Sequence, residues 1–256
     1  MIPIKWLMPF VGYSAECRCP TTGGWRMGSQ KIRAVVFDLD DTLFDCTGLL
    51  TDPARKRTAG FLALKLPRLT EQQLFDRQIE LSIEHGSSVA LEILGREHGL
   101  AEMDIHEAVE IYNRPEVENI HPFPDTLPTL QKLHERNLNM VVVTSGRPER
   151  QWQKVQNLGL DSFFNSESRT IYFHDDRLEP RKDLTLRAAL SFLQIEPKHV
   201  ASVGDKLDSE IAASNRLGMF TVRMLHGRQK AFRPAERDQH PDHVIGNLSE
   251  LLSLIE

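Results

Sequence analysis

Three carboxylates, Asp38, Asp40 and Asp41, fall within four positions directly behind the apolar run Val35-Val36-Phe37. The β-branched and aromatic residues of that run read as a buried strand, and such strands rarely stop on acids. Alternation along an extended chain would aim Asp38 and Asp40 the same way at the carboxyl end of the strand. Open α/β sheets place their ligands along that edge. A fourth acid, Asp205, follows Gly204 behind a second apolar run, Val200 to Val203. Two carboxylates about 4 Å apart repel by about 4 kcal/mol at an effective dielectric near 20. A divalent cation removes that conflict, and an all-oxygen donor set without a Cys or His cluster suits Mg²⁺. The competing reading of Asp-x-Asp is a strand-to-loop junction in which Asp only caps a turn.

Two further polar signatures stand where strands end or helices begin: Thr144-Ser145-Gly146 behind Asn139-Met140-Val141-Val142-Val143, and Arg181-Lys182 before a helical stretch. Thr144 could hold an anion through its hydroxyl, and Ser145 and Gly146 through backbone N–H groups at a helix start. Thr144 could also merely continue its strand. Lys182 could hold an anion by charge, with Arg181 as a substitute, or the two could form a solvated basic pair. Asp208 and Glu210 follow Asp205 on a helix start, where acids are favoured for helix-dipole reasons alone. Their roles stay open, as does that of Arg181.

Strands are expected at residues 32–37, 139–144, 170–173, 200–203, 220–224 and 243–245. Helices are expected from Thr126, with Asp125 as cap, to about Arg136, from Pro148 to Leu158, to Leu193 with Asp183 as cap, through Leu217, and from Ser249. Gly159 and Gly218 stop two of them. Strands separated by helices imply parallel pairing through right-handed crossovers, hence a doubly wound, Rossmann-like sheet. Residues 47–120 read differently, as helix-period patterns punctuated by Gly86, Gly95, Gly99 and Pro115. They are expected to form about four helices packed over the strand ends. The expected organisation is an N-terminal extension over residues 1–30, an α/β core made of 31–46 and 121–256, and a small helical cap of 47–120. Met27 offers an alternative start to the chain, and a secretory signal at the N-terminus is only weakly suggested. Arg228 to Asp242 reads as a polar loop.

A net charge of −5, with Lys and Arg scattered, gives no reason to expect a nucleic-acid partner. No stretch approaches the roughly 20 apolar residues of a bilayer span. Three cysteines make neither a disulfide framework nor a zinc site, so a reducing cytoplasm is the default expectation. The ten histidines show no metal-ligand spacing.

The segment Asp38-Leu39-Asp40-Asp41-Thr42-Leu43-Phe44 resembles the first motif of the haloacid dehalogenase (HAD) superfamily of phosphoryl-transfer enzymes. The other three polar signatures follow in that superfamily's motif order. The stretches GRPERQWQKVQNLGLDSFF and VGDKLDSEIAASNRLGMFTV resemble its phosphatase branch with a helical cap inserted after motif one. The long gap from Asp40 to Thr144 has room for such a cap, whereas the gap from Thr144 to Lys182 does not.

The resemblance implies a Mg²⁺-dependent phosphatase acting on a small phosphorylated metabolite. It implies that Asp38 attacks phosphorus to form an aspartyl phosphate, and that Asp40 protonates the leaving alcohol and then takes a proton from water. Thr144, Ser145 and Lys182 would bind phosphate. The Asp38 carboxylate, the Asp40 main-chain carbonyl and the Asp205 carboxylate would hold the metal. Relatives commonly carry Lys-Pro-x-Pro at motif three and Asp at the position of Glu210, and this chain departs from both. Dehalogenases lack the second acid, so Asp40 favours phosphate over halide. A phosphomutase on the same scaffold, or a binding or regulatory protein whose site does no chemistry, are the alternative readings, and no residue pattern names the substrate.

Overall fold

In the computed structural model, residues 31–255 are described apart from 115–116, 166–167, 169 and 176–181. The expected extension 1–30 and Arg181 lie outside the described residues. Six strands form one sheet: β1 (Ala34–Phe37), β2 (Asn139–Ser145), β3 (Ile171–His174), β4 (Val200–Gly204), β5 (Phe220–Met224) and β6 (His243–Ile245), in the order β3-β2-β1-β4-β5-β6. Every pairing is parallel. The fold is therefore the expected doubly wound α/β sheet.

The helices are α1 (Asp52–Lys65), α2 (Glu71–His85), α3 (Ser87–Glu97), α4 (Glu102–Asn113), α5 (Thr126–Glu135), α6 (Pro148–Asn157), α7 (Asp183–Leu193), α8 (Ala212–Leu217) and α9 (Leu251–Leu254). Two of the expected helix starts differ in detail. Asp125 precedes α5 but gives its carboxylate to the backbone N–H of Ser249, 2.8 Å away, rather than to its own helix. Asp183 is the first residue of α7, and Lys182 occupies the capping position. Strand β3 runs one residue later than expected, and the 228–242 loop contains a short 3₁₀ turn at Arg237–Gln239.

Alternation along β1 divides the core. Val35 and Phe37 pack with Leu130 and Leu133 of α5, Val155 of α6 and Leu251 of α9. Ala34 and Val36 pack on the opposite face with Leu186 and Ala189 of α7 and Ala213 of α8. Burying each large aliphatic side chain contributes about 1.5–3 kcal/mol, so these two layers hold the sheet rigid between them. Helices α1 to α4 share a separate apolar cluster that includes Leu62, Leu74, Leu91 and Leu94. The chain enters and leaves this bundle side by side. Phe44 bridges Pro122, and Leu43 accepts from the backbone of Phe123 and the hydroxyl of Thr126. Among the described residues, no helix is long and apolar enough to cross a membrane.

Candidate active site

The strand order reverses at β1: the chain winds outward through β2 and β3, then returns to β1's other side as β4. Crevices form where neighbouring connections diverge in this way, just beyond the carboxyl ends of the strands. Asp38 follows β1, Ser145 ends β2 and Asp205 follows β4, so the polar signatures meet at that crevice. They line a cavity of about 880 Å³, together with Asp40 and Lys182. Its far wall comes from the helical bundle and its approach, including Leu50, Ala54, Ser87 and Tyr112.

Asp38, Asp205 and Glu210 are buried with carboxylate oxygens within 4.8 Å of one another. The Lys182 ammonium, itself buried, lies 2.5 Å from Asp38 Oδ1 and 3.3 Å from Glu210 Oε2. One cation among three buried carboxylates leaves a surplus of about two negative charges, and the proton affinities reflect it. The Asp38 carboxyl is raised to about 7: burial pushes it up most, Lys182 pulls it down, and Glu210 and Asp40 add to the rise. Burial, then Glu210 and Asp38, raises Asp205 well above its ordinary value. Burial also acts upward on Glu210, but Lys182 and Lys206 outweigh it and hold that carboxyl low. Lys182 stays protonated because Asp38 and Glu210 overcome the effect of its burial. The surplus charge and the all-oxygen donors fit a hard divalent cation.

Glu210 thus sits inside the cluster, with Oε1 2.6 Å from the backbone nitrogen of Lys206, while Asp208 is exposed. Ser145 lines the cavity but Thr144 does not. The Thr144 hydroxyl is nonetheless buried and without a hydrogen-bond partner, a state that ordinarily costs about 1–3 kcal/mol.

Asp40 has partners that sequence reasoning missed. Lys154 Nζ lies 2.8 Å from both of its carboxylate oxygens, and Gln151 Nε2 lies 3.2 Å from Oδ2. Burial alone would raise the Asp40 carboxyl; the Lys154 charge and these hydrogen bonds outweigh it and hold the group below the usual carboxylate range. The available signal was a lysine and a glutamine on the same face of α6 as Val155. Arg147 and Trp152, the residues that stand out in this stretch, take other places: Arg147 lines the cavity and Trp152 packs against the core.

A haloacid dehalogenase-like hydrolase family model matches residues 32–218. The chain belongs to this family of hydrolases, and its curated relatives put it in the phosphatase branch. It is 31% identical over 230 residues to a glyceraldehyde 3-phosphate phosphatase of Methanopyrus kandleri, covering 88% of this chain and 97% of that protein. A phosphoglycolate phosphatase of Vibrio vulnificus is 25% identical over 235 residues, covering 90% and 98%. Among solved structures, a predicted phosphoglycolate phosphatase from Haemophilus somnus superposes with a TM-score of 0.66 at 18% identity, covering 90% of this chain and all of that one, which speaks for the fold alone.

Proposed function

We propose that this chain is a Mg²⁺-dependent phosphatase that hydrolyses a small phosphorylated metabolite through an aspartyl-phosphate intermediate. The observation that carries the reading is the buried Asp38 carboxylate, paired with Lys182, set among Asp205 and Glu210 and open to a cavity that Asp40 also lines. Unaided hydrolysis of phosphate monoesters is so slow that enzymes reach accelerations of about 10²¹-fold. A carboxylate nucleophile divides that barrier into two smaller displacements.

In the first, Asp38 attacks phosphorus, the bond from phosphorus to the leaving oxygen breaks, and Asp40 gives that oxygen its proton. In the second, water attacks phosphorus and surrenders a proton to Asp40 as the bond to Asp38 breaks. Both carboxyl groups end as they began. Asp40 rests ionised beside Lys154, so it must gain a proton before the first displacement. An arriving phosphate dianion pushes in that direction, because a nearby negative charge raises a carboxyl's proton affinity. Lys182 steadies Asp38 and the phosphoryl oxygens by charge, and the backbone N–H of Ser145 and the unpartnered Thr144 hydroxyl offer hydrogen bonds to them, whereas the N–H of Gly146 is already given to the His174 carbonyl.

The Asp38 and Asp205 carboxylates and the Asp40 carbonyl would hold the cation, with Glu210 supporting the cluster. When bound, a divalent cation neutralises the surplus charge and polarises the phosphoryl group. Residues 47–120 act as the cap that reads the substrate, a role supported by their separate core and by their side chains on the cavity wall.

The test is a panel of phosphate esters, including glyceraldehyde 3-phosphate, 2-phosphoglycolate and hexose phosphates, assayed for free phosphate with Mg²⁺ or with EDTA. Release that requires Mg²⁺ is expected from at least one member. Transfer to a second hydroxyl without free phosphate would make the enzyme a phosphomutase, and no reaction with any ester would reject the reading.

A further inference from the structure

Helix α6 turns Gln151 and Lys154, one helical turn apart, toward the interior, where each is 5% exposed or less. A buried ammonium loses several kcal/mol of hydration, so it persists only where a specific partner compensates. For Lys154 that partner is Asp40, engaged through both oxygens at 2.8 Å. Its other neighbours are weak: the Phe44 ring centroid at 5.8 Å and the Cys46 sulfur at 3.9 Å. Gln151 uses its amide nitrogen twice, toward Asp40 Oδ2 and toward the Ser145 carbonyl.

The Asp40 carboxylate is thus clasped from one side by a charge that spans both oxygens and by an amide that ties it to the turn after β2. A lone lysine would leave the carboxylate free to swing about its χ angles. The second donor, anchored on the Ser145 backbone, removes that freedom. Proton transfer demands heavy-atom separations of about 2.6–3.2 Å, so a carboxylate that must meet a leaving oxygen and later a water gains from such restraint.

We propose that Lys154 and Gln151 are positioning residues that hold the Asp40 carboxylate in place for both proton transfers. The inference rests on the reading of Asp40 given above.

Lys154→Met keeps the length of the side chain and removes the charge. With an alkyl phosphate, whose leaving group needs a proton, kcat should fall about 10²- to 10³-fold, within the usual range for acid–base catalysis, while KM changes little. With p-nitrophenyl phosphate, whose leaving group needs none, rapid quench should show a retained first-turnover burst of p-nitrophenolate followed by a slowed steady state. Lys154→Arg should recover part of the loss. Gln151→Met should show the same pattern more weakly, and it decides the matter if Lys154→Met does not fold. Equal losses on both esters without a burst, or unchanged turnover in the variants, would overturn the proposal. If wild type hydrolyses neither these two esters nor any member of the panel above, the phosphatase reading falls and takes this inference with it. An active wild type with unaffected variants removes only the clasp.

Discussion

Removing the Lys182 charge should destabilise the metal-free protein in a way that depends steeply on pH. With Nζ 2.5 Å from Asp38 and 3.3 Å from Glu210, each attraction amounts to roughly 5–7 kcal/mol at an effective dielectric near 20. The hydration lost by burying the lysine offsets much of this, so Lys182→Met should cost about 3–5 kcal/mol, the usual loss on breaking a buried ion pair. For a chain of this size each kcal/mol lowers Tm by about 2–4 °C, so a drop of roughly 6–20 °C is expected at pH 8 in EDTA.

The pH dependence follows from the carboxylates left behind. Asp38 already titrates near 7 in the folded protein, against about 3.9 when unfolded. An acid with a raised folded pKa favours the folded state when protonated, and it loses that advantage as pH rises from the unfolded value through the folded one. Without Lys182, Asp38 rises further and Glu210 loses one of the charges that hold it low, so at pH 5 Asp38 is neutral in the folded variant and the loss should shrink to about half or less. Thermal unfolding of wild type and variant in EDTA at pH 5 and pH 8 measures both effects. An equal Tm difference at the two pH values, or a difference below about 3 °C at pH 8, would refute the electrostatic account of the cluster.

Asp38→Asn should reduce turnover at least about 10⁴-fold, equivalent to roughly 5 kcal/mol of barrier, in the phosphate-release assay; ordinary activity would reject the nucleophile. Asp205→Asn should shift the Mg²⁺ activation curve to higher concentration, and an unchanged curve would reject its ligand role. Asp38 and Asp205 both hold their protons tightly in the metal-free fold, so Mg²⁺ must displace protons at low pH and meets an ionised Asp38 above about pH 7. The Mg²⁺-induced rise in Tm should therefore be larger at pH 8 than at pH 5.5, reaching about 2.7 kcal/mol of stabilisation at a hundredfold excess over Kd. Equal shifts at the two pH values would contradict this.

The alternation of strand and helix was legible because each strand of the sheet interior is a short apolar run bounded by turn residues, from Val35-Val36-Phe37 to Phe220–Met224. The meeting of Asp38, Ser145 and Asp205 was legible for a topological reason. Parallel strands deliver their carboxyl ends to one edge, so residues distant in sequence converge once the strands are placed. What stayed hidden depends on side-chain direction. Ser145 lines the cavity while its neighbour Thr144 keeps a buried hydroxyl without a partner, a division of surroundings that the motif alone could not show. Asp208 and Glu210 differ by two positions at a π-helical turn, enough to leave one in solvent and turn the other onto Lys206 and Lys182. Gln151 and Lys154 lie in a stretch so rich in polar residues that it reads as helix surface. Only the contact with Asp40, more than a hundred residues earlier, reveals that face as the inner one.

Every residue assigned to the reaction precedes residue 211, yet the turn that carries the first acids is closed by the loop after β5. Asp41 takes a left-handed backbone conformation with φ of 59°. Gly227, also at positive φ, lies so close that an added Cβ would meet the Asp41 carboxyl at 2.3 Å. The neighbouring Arg228 backbone N–H reaches the Thr47 hydroxyl, and the His226 ring packs at a tilt against Phe123. A fragment ending after α8 would therefore carry all the reactive groups while missing the buttress against which their turn is set. For this protein, the smallest piece that contains the chemistry is shorter than the smallest piece that can shape it.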